Sequence, residues 1–312
     1  MAEAVSSDGK PNLVGAVQDH VTAVVLNWRD AGSTVECVAS LQADPDIASV
    51  IVVDNEFDGT LKQALCERFA EEMPDIIELP ENRGFAAGVN EGIQSALARD
   101  ADYVLIINND ALWMPGALAP MLEPFGLGAN VGATAPFIYS PDGDLLSSGG
   151  RVNSLLMSID DRAYPRDAEF LTWACVLVSA ICMRDVGPLD ERYFMYWEDV
   201  EWGQRVRARG WSLAVVPEVG VTHRISSSHS AAGLKIRAYS AAGLALFTRE
   251  GSRSRRLGGR VRFWARIFAR LGRGQVTAAF AIHRGWRFGL SVTGPAYESI
   301  STVVAASPAR SR

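Results

Sequence analysis

Three polar residues, Asn108, Asn109 and Asp110, directly follow an apolar run in the segment YVLIINND at residues 103–110. An unbroken apolar run is typical of a strand buried on both faces, as in a parallel or mixed sheet covered by helices. Because open α/β sheets bind ligands at the carboxyl ends of their strands, a carboxylate there can hold a divalent cation, and the cation a diphosphate. The alternative is an ordinary polar turn, and this segment alone does not decide between the two.

A second acidic group, made of Glu198, Asp199 and Glu201, lies among five aromatic residues in the segment YFMYWEDVEW at residues 193–202. A carboxylate in an aromatic-walled cleft suits a general base, because desolvation raises its pKa. Aromatic walls also suit the faces of a sugar. The alternative is a solvated helix start, which would not need five aromatic neighbours.

Two single residues complete the candidate chemistry. Asp54 follows the apolar residues 50–53 and could accept a hydrogen bond from the imide N–H of uracil or thymine, although a turn residue before a helix fits equally well. His223 ends another apolar stretch and could bind the same Mg²⁺ or Mn²⁺ as Asp110. A histidine at a strand end is, however, more often satisfied by hydrogen bonds alone.

Strands and helices must alternate to place these residues together. The first half of the chain predicts strands at residues 21–26, 49–53 and 76–79, and a fourth in YVLIINND at 103–110. A capping box at residues 33–36 and a cap at Thr60 predict the first two helices, and an apolar repeat from Leu61 to Met73 predicts one face of the second. A Gly-rich turn at residues 81–93 opens a third helix that runs to about Arg99. This alternation predicts βαβ units and a mostly parallel, doubly wound sheet.

The Gly-rich turn does not match the common nucleotide-binding motifs. No GxGxxG follows the first strand, and no GK[ST] occurs anywhere in the chain. The predicted sheet must therefore bind a nucleotide through residues outside these two motifs.

The pattern loosens after Asp110. It predicts a helix at about 115–125, a strand at 131–139, substrate-proximal loops at 140–170 and a second continuous apolar run at 173–183. Strands follow at 212–217 and 219–223, and then a helix at 230–250. The expected organisation is a flexible leader at 1–20, a catalytic domain at 21–225 and a helical, Arg-rich extension at 226–312.

The charge distribution sets the extension apart from the rest of the chain. Residues 251–312 contain twelve Arg and one acid, a net charge of +11. Because the whole chain carries a net charge of −6, the remaining residues carry −17. An amphipathic helix is predicted there, with apolar residues on one face and arginines on another. The apolar face holds Val261, Trp264, Ala265, Phe268 and Leu271, and the basic face holds Arg262, Arg266, Arg270 and Arg273. A membrane-surface helix is the favoured interpretation, with a packed helix or a nucleic-acid contact as alternatives.

Composition narrows the class of protein further. Hydrophobic residues make up 48% of the chain, which is ordinary for a globular protein. The four cysteines show no CxxC spacing, which indicates reduced thiols in a cytoplasmic protein. The first twenty residues are polar and predict no signal peptide, and no apolar run reaches the length of a spanning helix. The acidic body argues against nucleic acid as a partner.

The motifs together resemble those of family-2 glycosyltransferases, inverting enzymes with the GT-A fold. The resemblance covers roughly residues 20–225, and its motifs occur in the family's order. They are AVVLNW at 23–28, VIVVDNEFDGT at 50–60, ENRGFAAGVNEGI at 81–93, YVLIINNDA at 103–111, GPLDERYFMYWEDVEW at 187–202 and VPEVGVTH at 216–223. The NNDA and DERYFMYWED forms are most similar to the bacterial rhamnosyltransferase branch. The basic extension is similar to that of enzymes acting on polyprenyl-diphosphate-linked glycans in actinobacterial cell-wall assembly.

The resemblance implies a role for each matching residue. Asp199 would be the catalytic base, with Glu198 shaping the sugar site, and Asp110 and His223 would bind Mg²⁺ or Mn²⁺. The residues implied to bind the donor are Asn27, Asp54, Asn82, Gly84, Phe85, Gly88, Asn90, Asn109 and Asp110. Those implied to contact the acceptor or its sugar are Trp173, Tyr196 and Trp197.

The implied reaction is a single displacement that moves a sugar, L-rhamnose from dTDP-rhamnose first among the options, to a glycan or lipid-linked acceptor at the inner face of the cell membrane. UDP-galactofuranose or UDP-GlcNAc as donor, a non-catalytic sugar-nucleotide-binding homologue, and a homodimer stay open. The sequence departs from the family at Thr172-Trp173-Ala174, at Ser179-Ala180 and after Asn55. These departures affect the identity of the acceptor and the nucleotide pocket.

Overall fold

The computed structural model describes residues 20–127, 130–153, 156–162, 168–224, 233–297 and 299–300. Nearly all of the leader expected at 1–20, and the start and end of the expected extension, lie outside these ranges. The strands are β1 (Val21–Asn27), β2 (Ser49–Asp54), β3 (Asp75–Glu78), β4 (Tyr103–Asn108), β5 (Ala111–Leu112), β6 (Val131–Tyr139), β7 (Leu145–Ser147), β8 (Arg151–Asn153), β9 (Ser158–Asp160), β10 (Cys175–Ser179) and β11 (Ser212–His223). The helices are α1 (Ala31–Gln42), α2 (Thr60–Phe69), α3 (Gly84–Ala98), α4 (Leu118–Gly126), α5 (Ala180–Val186), α6 (Glu198–Ala208), α7 (Gly233–Arg249), α8 (Arg253–Leu271) and α9 (Val276–Ser291).

The main sheet is mixed and mostly parallel in its first half, as the alternation of strands and helices predicts. Its order is β3-β2-β1-β4-β10-β6-β11-β5, with β7 pairing with β6. Strands β1 to β4 are parallel neighbours, whereas β10 runs antiparallel to both β4 and β6. The chain order reverses between β1 and β4, and a crevice at such a reversal is where doubly wound sheets bind ligands.

The central strands are apolar because they are buried on both faces. Successive side chains of a strand point to opposite faces, so β4 contributes Val104 and Ile106 to one core and Leu105 and Ile107 to the other. Helix α3 covers the first face and helices α1 and α2 cover the second. This explains why the 103–107 run shows no alternation between apolar and polar residues.

Several local predictions differ from the structure. The cap of α1 is Asp30, whose Oδ1 accepts from the Ser33 amide at 2.9 Å, so the capping box at 33–36 is wrong. Thr60 is the first residue of α2 rather than its cap, and its amide donates to Asp58 Oδ1. That helix ends at Phe69, so Met73, although packed on the same core, lies beyond it.

The second half of the chain also differs in detail. The helix expected from residue 115 begins at 118, and the region expected to be loops, 140–170, holds three short strands. The apolar run at 173–183 divides into β10 and α5. The two strands expected at 212–223 are one strand, β11, with an irregularity between Val216 and Gly220.

The C-terminal helices pack on the segment before α6 through a third core. Helices α7, α8 and α9 bury Leu246, Phe263 and Ile282 together with Tyr193 and Trp197 from the segment before α6. Helix α9 lies so close to α7 that a Cβ on Gly285 would stand 1.9 Å from the carbonyl oxygen of Ala238. Among the described residues, no helix is long and apolar enough to cross a membrane.

Candidate active site

A cavity of about 350 Å³ opens at the carboxyl ends of β1 and β4, where the strand order reverses. Polar side chains from both strand ends and from the Gly-rich turn meet apolar residues of the segment before α6 and of α7. The lining residues are Leu26, Trp28, Arg29, Asn55, Glu56, Asn82, Gly84, Phe85, Asn108, Asn109, Asp110, Phe194, Met195, His223, Lys235, Ile236 and Tyr239. Five residues implied to bind the donor, Asn82, Gly84, Phe85, Asn109 and Asp110, are among them.

Strand pairing brings Asp110 and His223 together across more than a hundred residues of sequence. The two-residue strand β5 follows Asp110 and pairs antiparallel with the end of β11, which places His223 opposite Ala111. The Asp110 Oδ1 and His223 Nε2 atoms are 2.8 Å apart. Asn108 Nδ2 lies 3.3 Å from the same imidazole nitrogen. A carboxylate and an imidazole thus meet at one point of the cavity wall.

These side chains fit a divalent cation that the substrate helps to bind. No group of three or more His, Cys, Asp or Glu side chains with metal-binding geometry occurs among the described residues. Asp110 and His223 could therefore supply two ligands to a cation, and water and a diphosphate would have to supply the others. Mg²⁺ is commonly held in this way, by one or two carboxylates plus substrate phosphates, and imidazole extends the choice to Mn²⁺.

Asn27 and Asp54 are neighbours because β1 and β2 are parallel and in register at these positions. Asn27 Nδ2 donates to Asp54 Oδ1 at 3.0 Å, and Asn27 Oδ1 accepts from Thr34 Oγ1 at 2.8 Å. Asn27 lines a smaller cavity, shared with Arg29, Asp30 and other residues, that adjoins the main one. Asp54 Oδ2 is buried without a hydrogen-bond partner among the described residues, and burial raises the pKa of Asp54. That oxygen is an acceptor suited to an imide N–H.

Gly88 and Asn90 do not line either cavity. A Cβ on Gly88 would lie 2.6 Å from a methyl group of Leu26, so this glycine permits close packing of α3 on β1. The side chain of Asn90 makes two hydrogen bonds to the backbone of Leu189. Asn90 Nδ2 donates to the Leu189 carbonyl oxygen at 2.9 Å, and Asn90 Oδ1 accepts from the Leu189 N–H at 3.0 Å. Both residues thus position the surrounding backbone, and the donor-binding role implied for them stays a prediction.

Asp199 and Glu198 begin α6, at the end of the segment that lines the cavity with Phe194 and Met195. Burial raises the pKa of Asp199 to about 6, the nearby Asp161 carboxylate adds to this, and a 2.8 Å hydrogen bond from the Val200 amide opposes it. Burial and the charge of Asp199 raise the pKa of Glu198 well above its usual value. The pKa values of both neighbouring carboxyl groups are thus raised, and a carboxylate whose pKa lies near 6 suits a general base at neutral pH.

The third acidic residue, Glu201, is held away from this pair. Its Oε1 accepts from Arg205 Nε at 2.7 Å, one helical turn along α6. Because that carboxylate already neutralises a guanidinium, Glu201 is a weaker candidate for the base than Asp199.

The turn before α6 adopts a strained backbone. Tyr196 and Trp197 have φ values of 72° and 79°, in the left-handed region that bulky residues rarely occupy. The turn is held by α7, where a Cβ on Gly243 would come within 2.4 Å of the Tyr196 carbonyl oxygen. On its other side, the Phe85 amide donates to the Phe194 carbonyl at 2.7 Å. Strain of this kind persists where surrounding contacts impose it, most often at functional sites.

The three aromatic residues expected at the acceptor site differ in their surroundings. Trp173 is only 3% exposed and packs edge-on against Trp202, with ring centroids 5.1 Å apart, so it belongs to the core, and its acceptor contact stays a prediction. Trp197 is buried against Phe247. Tyr196 is half-buried and is the one of the three with an accessible surface.

No sequence pattern predicted the contribution of α7 to the cavity. Lys235, Ile236 and Tyr239 of this helix line the cavity, although residues after 225 were expected to form only a membrane-associating extension. Tyr239 packs on Phe194, with ring centroids 4.7 Å apart. The extension therefore contributes to the site, and Lys235 adds a second positive side chain to a lining that also contains Arg29, Glu56 and Asp110.

Comparison with known proteins assigns the chain to a family. Residues 18–239 match the family described as "Glycosyltransferase like family 2". The chain belongs to this family. The match extends into α7, in agreement with the place of that helix at the cavity.

Two relatives are rhamnosyltransferases. The chain is 32% identical over 212 residues to the N-acetylglucosaminyl-diphospho-decaprenol L-rhamnosyltransferase of Mycobacterium tuberculosis, covering 58% of this chain and 67% of the relative. It is 25% identical over 183 residues to the dTDP-rhamnosyl transferase RfbF of Shigella flexneri, covering 56% and 60%.

Solved structures support the fold. The mannosyltransferase PcManGT from Pyrobaculum calidifontis, in complex with GDP-Man and Mn²⁺, matches with a TM-score of 0.56 and 18% identity over 95% of this chain and 84% of that one. GalNAc-T7 with UDP, GalNAc and Mn²⁺ matches with a TM-score of 0.56 and 13% identity, covering 79% of this chain and about half, 54%, of that one. The predicted GT-A fold is confirmed.

The geometry of Asp110 and His223 generates a prediction on metal dependence. We expect dTDP to bind at least ~10-fold more weakly in EDTA than with Mn²⁺, because few protein groups would then neutralise the diphosphate. Asp110→Asn should bind dTDP equally weakly in both conditions. Calorimetric titration measures both affinities. The control is Asp142→Asn, which removes an exposed carboxylate that does not line the cavity. Equal dTDP affinity of the wild type with and without metal contradicts the assignment.

Proposed function

We propose that this protein is an inverting glycosyltransferase that moves L-rhamnose from dTDP-rhamnose to a hydroxyl of a polyprenyl-diphosphate-linked saccharide in cell-wall or surface-polysaccharide assembly. The observation that carries the proposal is the meeting of Asp110 and His223 in one cavity wall, beside the segment that leads into Asp199. The choice of rhamnose and of the acceptor class is supported by the names of the two bacterial relatives.

The donor would lie along the carboxyl ends of β1, β2 and β4. The unpartnered Asp54 Oδ2 would accept from the imide N–H of thymine, and Asn27 keeps the other oxygen of that carboxylate oriented. The diphosphate would extend toward Asp110. Lys235, which lines the same cavity from α7, would add a positive charge there. A bound Mg²⁺ or Mn²⁺ would neutralise the charge that grows on the diphosphate as it leaves.

The chemistry proposed for the protein's own groups is a single displacement. Asp199 takes a proton from the acceptor hydroxyl as that oxygen forms a bond to the anomeric carbon. The bond from that carbon to the diphosphate oxygen breaks on the opposite face, so the configuration inverts. Burial and the charge of Asp199 raise the pKa of Glu198, which favours its neutral form and limits the negative charge next to the base. The strained turn at residues 196–197 directly precedes α6 and would position Asp199.

Membrane docking is proposed for α8 and α9, whose outward faces carry large apolar side chains. Trp264 and Phe268 are 52% and 63% exposed and stack on each other, with ring centroids 5.7 Å apart. Further exposed apolar residues of the two helices are Leu257, Val261, Leu271, Val276, Phe280 and Leu290. The opposite side of α8 buries Phe263 and Ile267 in the protein, so the helix is packed on one side and apolar toward solvent on the other. Exposed apolar stripes of this kind mark interaction surfaces.

An anionic leaflet is the partner that this face fits. The positive charge of residues 251–312 attracts it, and Trp and Phe side chains can enter the interfacial region. The enzyme would thereby sit on the inner face of the cell membrane, where a lipid-linked acceptor is presented.

The candidate base generates a kinetic prediction. Asp199→Asn should lower kcat by ~10²–10⁴-fold while leaving donor affinity nearly unchanged, since the carboxylate acts on the acceptor hydroxyl. In the wild type kcat/KM should rise as pH increases through about 6, because the base works only when ionised. Measured rates of sugar transfer against pH test both statements. Glu201→Gln is the control, as its carboxylate is engaged by Arg205. A near-normal rate for Asp199→Asn, or a collapse for Glu201→Gln, refutes the assignment.

The exposed apolar stripe generates a second prediction. Replacing both Trp264 and Phe268 by Glu should reduce binding to anionic liposomes at least ~10-fold, since burial of each side chain contributes roughly 1.5–3 kcal/mol. Co-sedimentation of the full chain measures this. Ile181→Glu is the matched control, because Ile181 is 68% exposed but lies on α5 in the catalytic part of the chain. Unchanged binding of the double variant, or an equal loss in the control, contradicts docking through α8.

A further inference from the structure

Part of the lining of the main cavity is built from apolar side chains of three elements. Phe85 lies in the first turn of α3, Phe194 and Met195 lie in the segment before α6, and Ile236 and Tyr239 belong to α7. We call these five residues the apolar wall. None of them is charged, and the Tyr239 hydroxyl is the one O–H or N–H group among their side chains.

Contacts between the members make the apolar wall one connected surface. The rings of Phe194 and Tyr239 have centroids 4.7 Å apart, and the Phe85 N–H donates to the Phe194 carbonyl oxygen at 2.7 Å. Ile236 and Tyr239 are three residues apart on α7, which places them on the same face of that helix. Met195 follows Phe194 in the chain and packs against the same hydrophobic cluster as Tyr239.

That hydrophobic cluster supports the apolar wall. Phe194 packs there with Ala296 and Ile300, and Tyr239 packs against all of them. The Ala296 N–H donates to the Glu191 carbonyl oxygen at 2.8 Å, which ties the C-terminal residues to the chain just before Phe194. Because closely packed side chains lose contacts when they move apart, the apolar wall keeps its shape when a ligand enters the cavity.

The proposed reaction places the donor sugar beside the apolar wall. The donor diphosphate would lie at Asp110 and His223, which line the same cavity. The candidate base, Asp199, comes four residues after Met195 in the chain. The anomeric carbon must lie between the leaving diphosphate and the acceptor hydroxyl that the base deprotonates. The sugar ring would therefore lie between Asp110 and the segment that contains Met195.

An apolar surface discriminates between sugars that differ in one hydroxyl group. A hydroxyl that leaves water without finding a hydrogen-bond partner costs free energy, whereas a methyl group gains free energy on burial. A 6-deoxy sugar such as rhamnose carries a methyl group where the corresponding hexose carries a hydroxymethyl group. The apolar wall, with one hydroxyl among five side chains, fits the methyl group better.

We propose that the apolar wall binds the C6 methyl group of the donor sugar, and that Met195 and Ile236 select a 6-deoxy sugar over the hexose with a hydroxyl at C6. These two residues are the aliphatic members of the wall, and both are partly exposed where they line the cavity. The proposal rests on the proposed function, since it takes a dTDP-linked donor, and it adds the residues that choose the sugar.

The test compares two donors that differ by one hydroxyl group, dTDP-β-L-rhamnose and dTDP-β-L-mannose. Calorimetric titration of the full chain in the presence of Mn²⁺ measures both affinities. The wild type should bind the rhamnose donor ~10–100-fold more tightly, since an apolar pocket rejects an added hydroxyl by no more than about 10²-fold. Met195→Gln and Ile236→Asn each add an amide to the wall and should reduce this preference to less than about threefold, because the amide can pair with the C6 hydroxyl.

Two further variants serve as controls. Met195→Leu keeps an apolar side chain of similar volume, so it should retain the preference for the rhamnose donor. Ile181→Asn introduces an amide at a 68% exposed position of α5 that does not line the cavity, and it should bind both donors as the wild type does.

Equal affinity of the wild type for the two donors overturns the proposal, as does an unchanged preference in both Met195→Gln and Ile236→Asn. Titration with dTDP, which has no sugar, separates this result from other failures. Each variant should bind dTDP as the wild type does, and if one of the two amide variants loses dTDP binding through misfolding, the other decides the test. Loss of dTDP binding in the wild type refutes the proposed function, whereas its retention without a donor preference refutes only the selection of the sugar by the apolar wall.

Discussion

The segment from Phe194 to Asp199 is the part of the chain on which the proposed site depends. Two consecutive bulky residues, Tyr196 and Trp197, occupy the left-handed region, a conformation that costs of order 1–3 kcal/mol per residue and needs contacts to maintain it. The start of α3 holds the segment from one side, where the Phe85 amide donates to the Phe194 carbonyl. Helix α7 holds it from the other, where Gly243 allows the backbones to meet.

The glycines at these two contacts have no acceptable substitute in this geometry. A Cβ on Gly84 would lie 2.3 Å from the Phe194 carbonyl oxygen, and Gly84 also has a φ of 82°. The Gly-rich turn resembles a phosphate-binding loop only superficially. At Gly84 it brings the start of α3 against the segment from Phe194 to Asp199. The cavity and the candidate base then share one support, and packing rather than a flexible loop positions the backbone that leads into Asp199.

Helix α7 connects this support to the rest of the C-terminal part. It lines the cavity with Lys235 and Tyr239, contacts the strained turn at Gly243, and packs against α8 where Thr248 meets Gly259. Its close contact with α9 at Gly285 makes the three helices one packed unit. A membrane-docked α8 would consequently present the active site at a defined height and orientation, which suits an acceptor whose reacting hydroxyl is tethered to lipid.

The sequence predicted most of the elements that carry the site because the relevant signals are local. Apolar strands ending in polar residues identified Asn27, Asp54 and Asp110, and parallel register brought their strand ends together. The Asp110–His223 contact depends on the two-residue strand β5, which is too short to leave a pattern.

Residues whose role is set by distant partners were harder to predict. Asn90 is engaged by Leu189, Gly88 by Leu26 and Trp173 by Trp202, and none of these partners is near in sequence. The role of α7 was missed for the same reason. Its composition is that of an ordinary packed helix, and only the fold shows which side chains reach the cavity.

The central claim is a single displacement at the anomeric carbon with Asp199 as base, and the configuration of the product tests it most directly. The full chain would be incubated with dTDP-β-L-rhamnose, Mn²⁺ and an N-acetylglucosaminyl-diphospho-prenol acceptor, and the anomeric signals followed by NMR as product forms. The account predicts that the first-formed rhamnoside is α-linked, the inverted configuration. A β-linked product would require two displacements and a covalent intermediate, and would contradict the account.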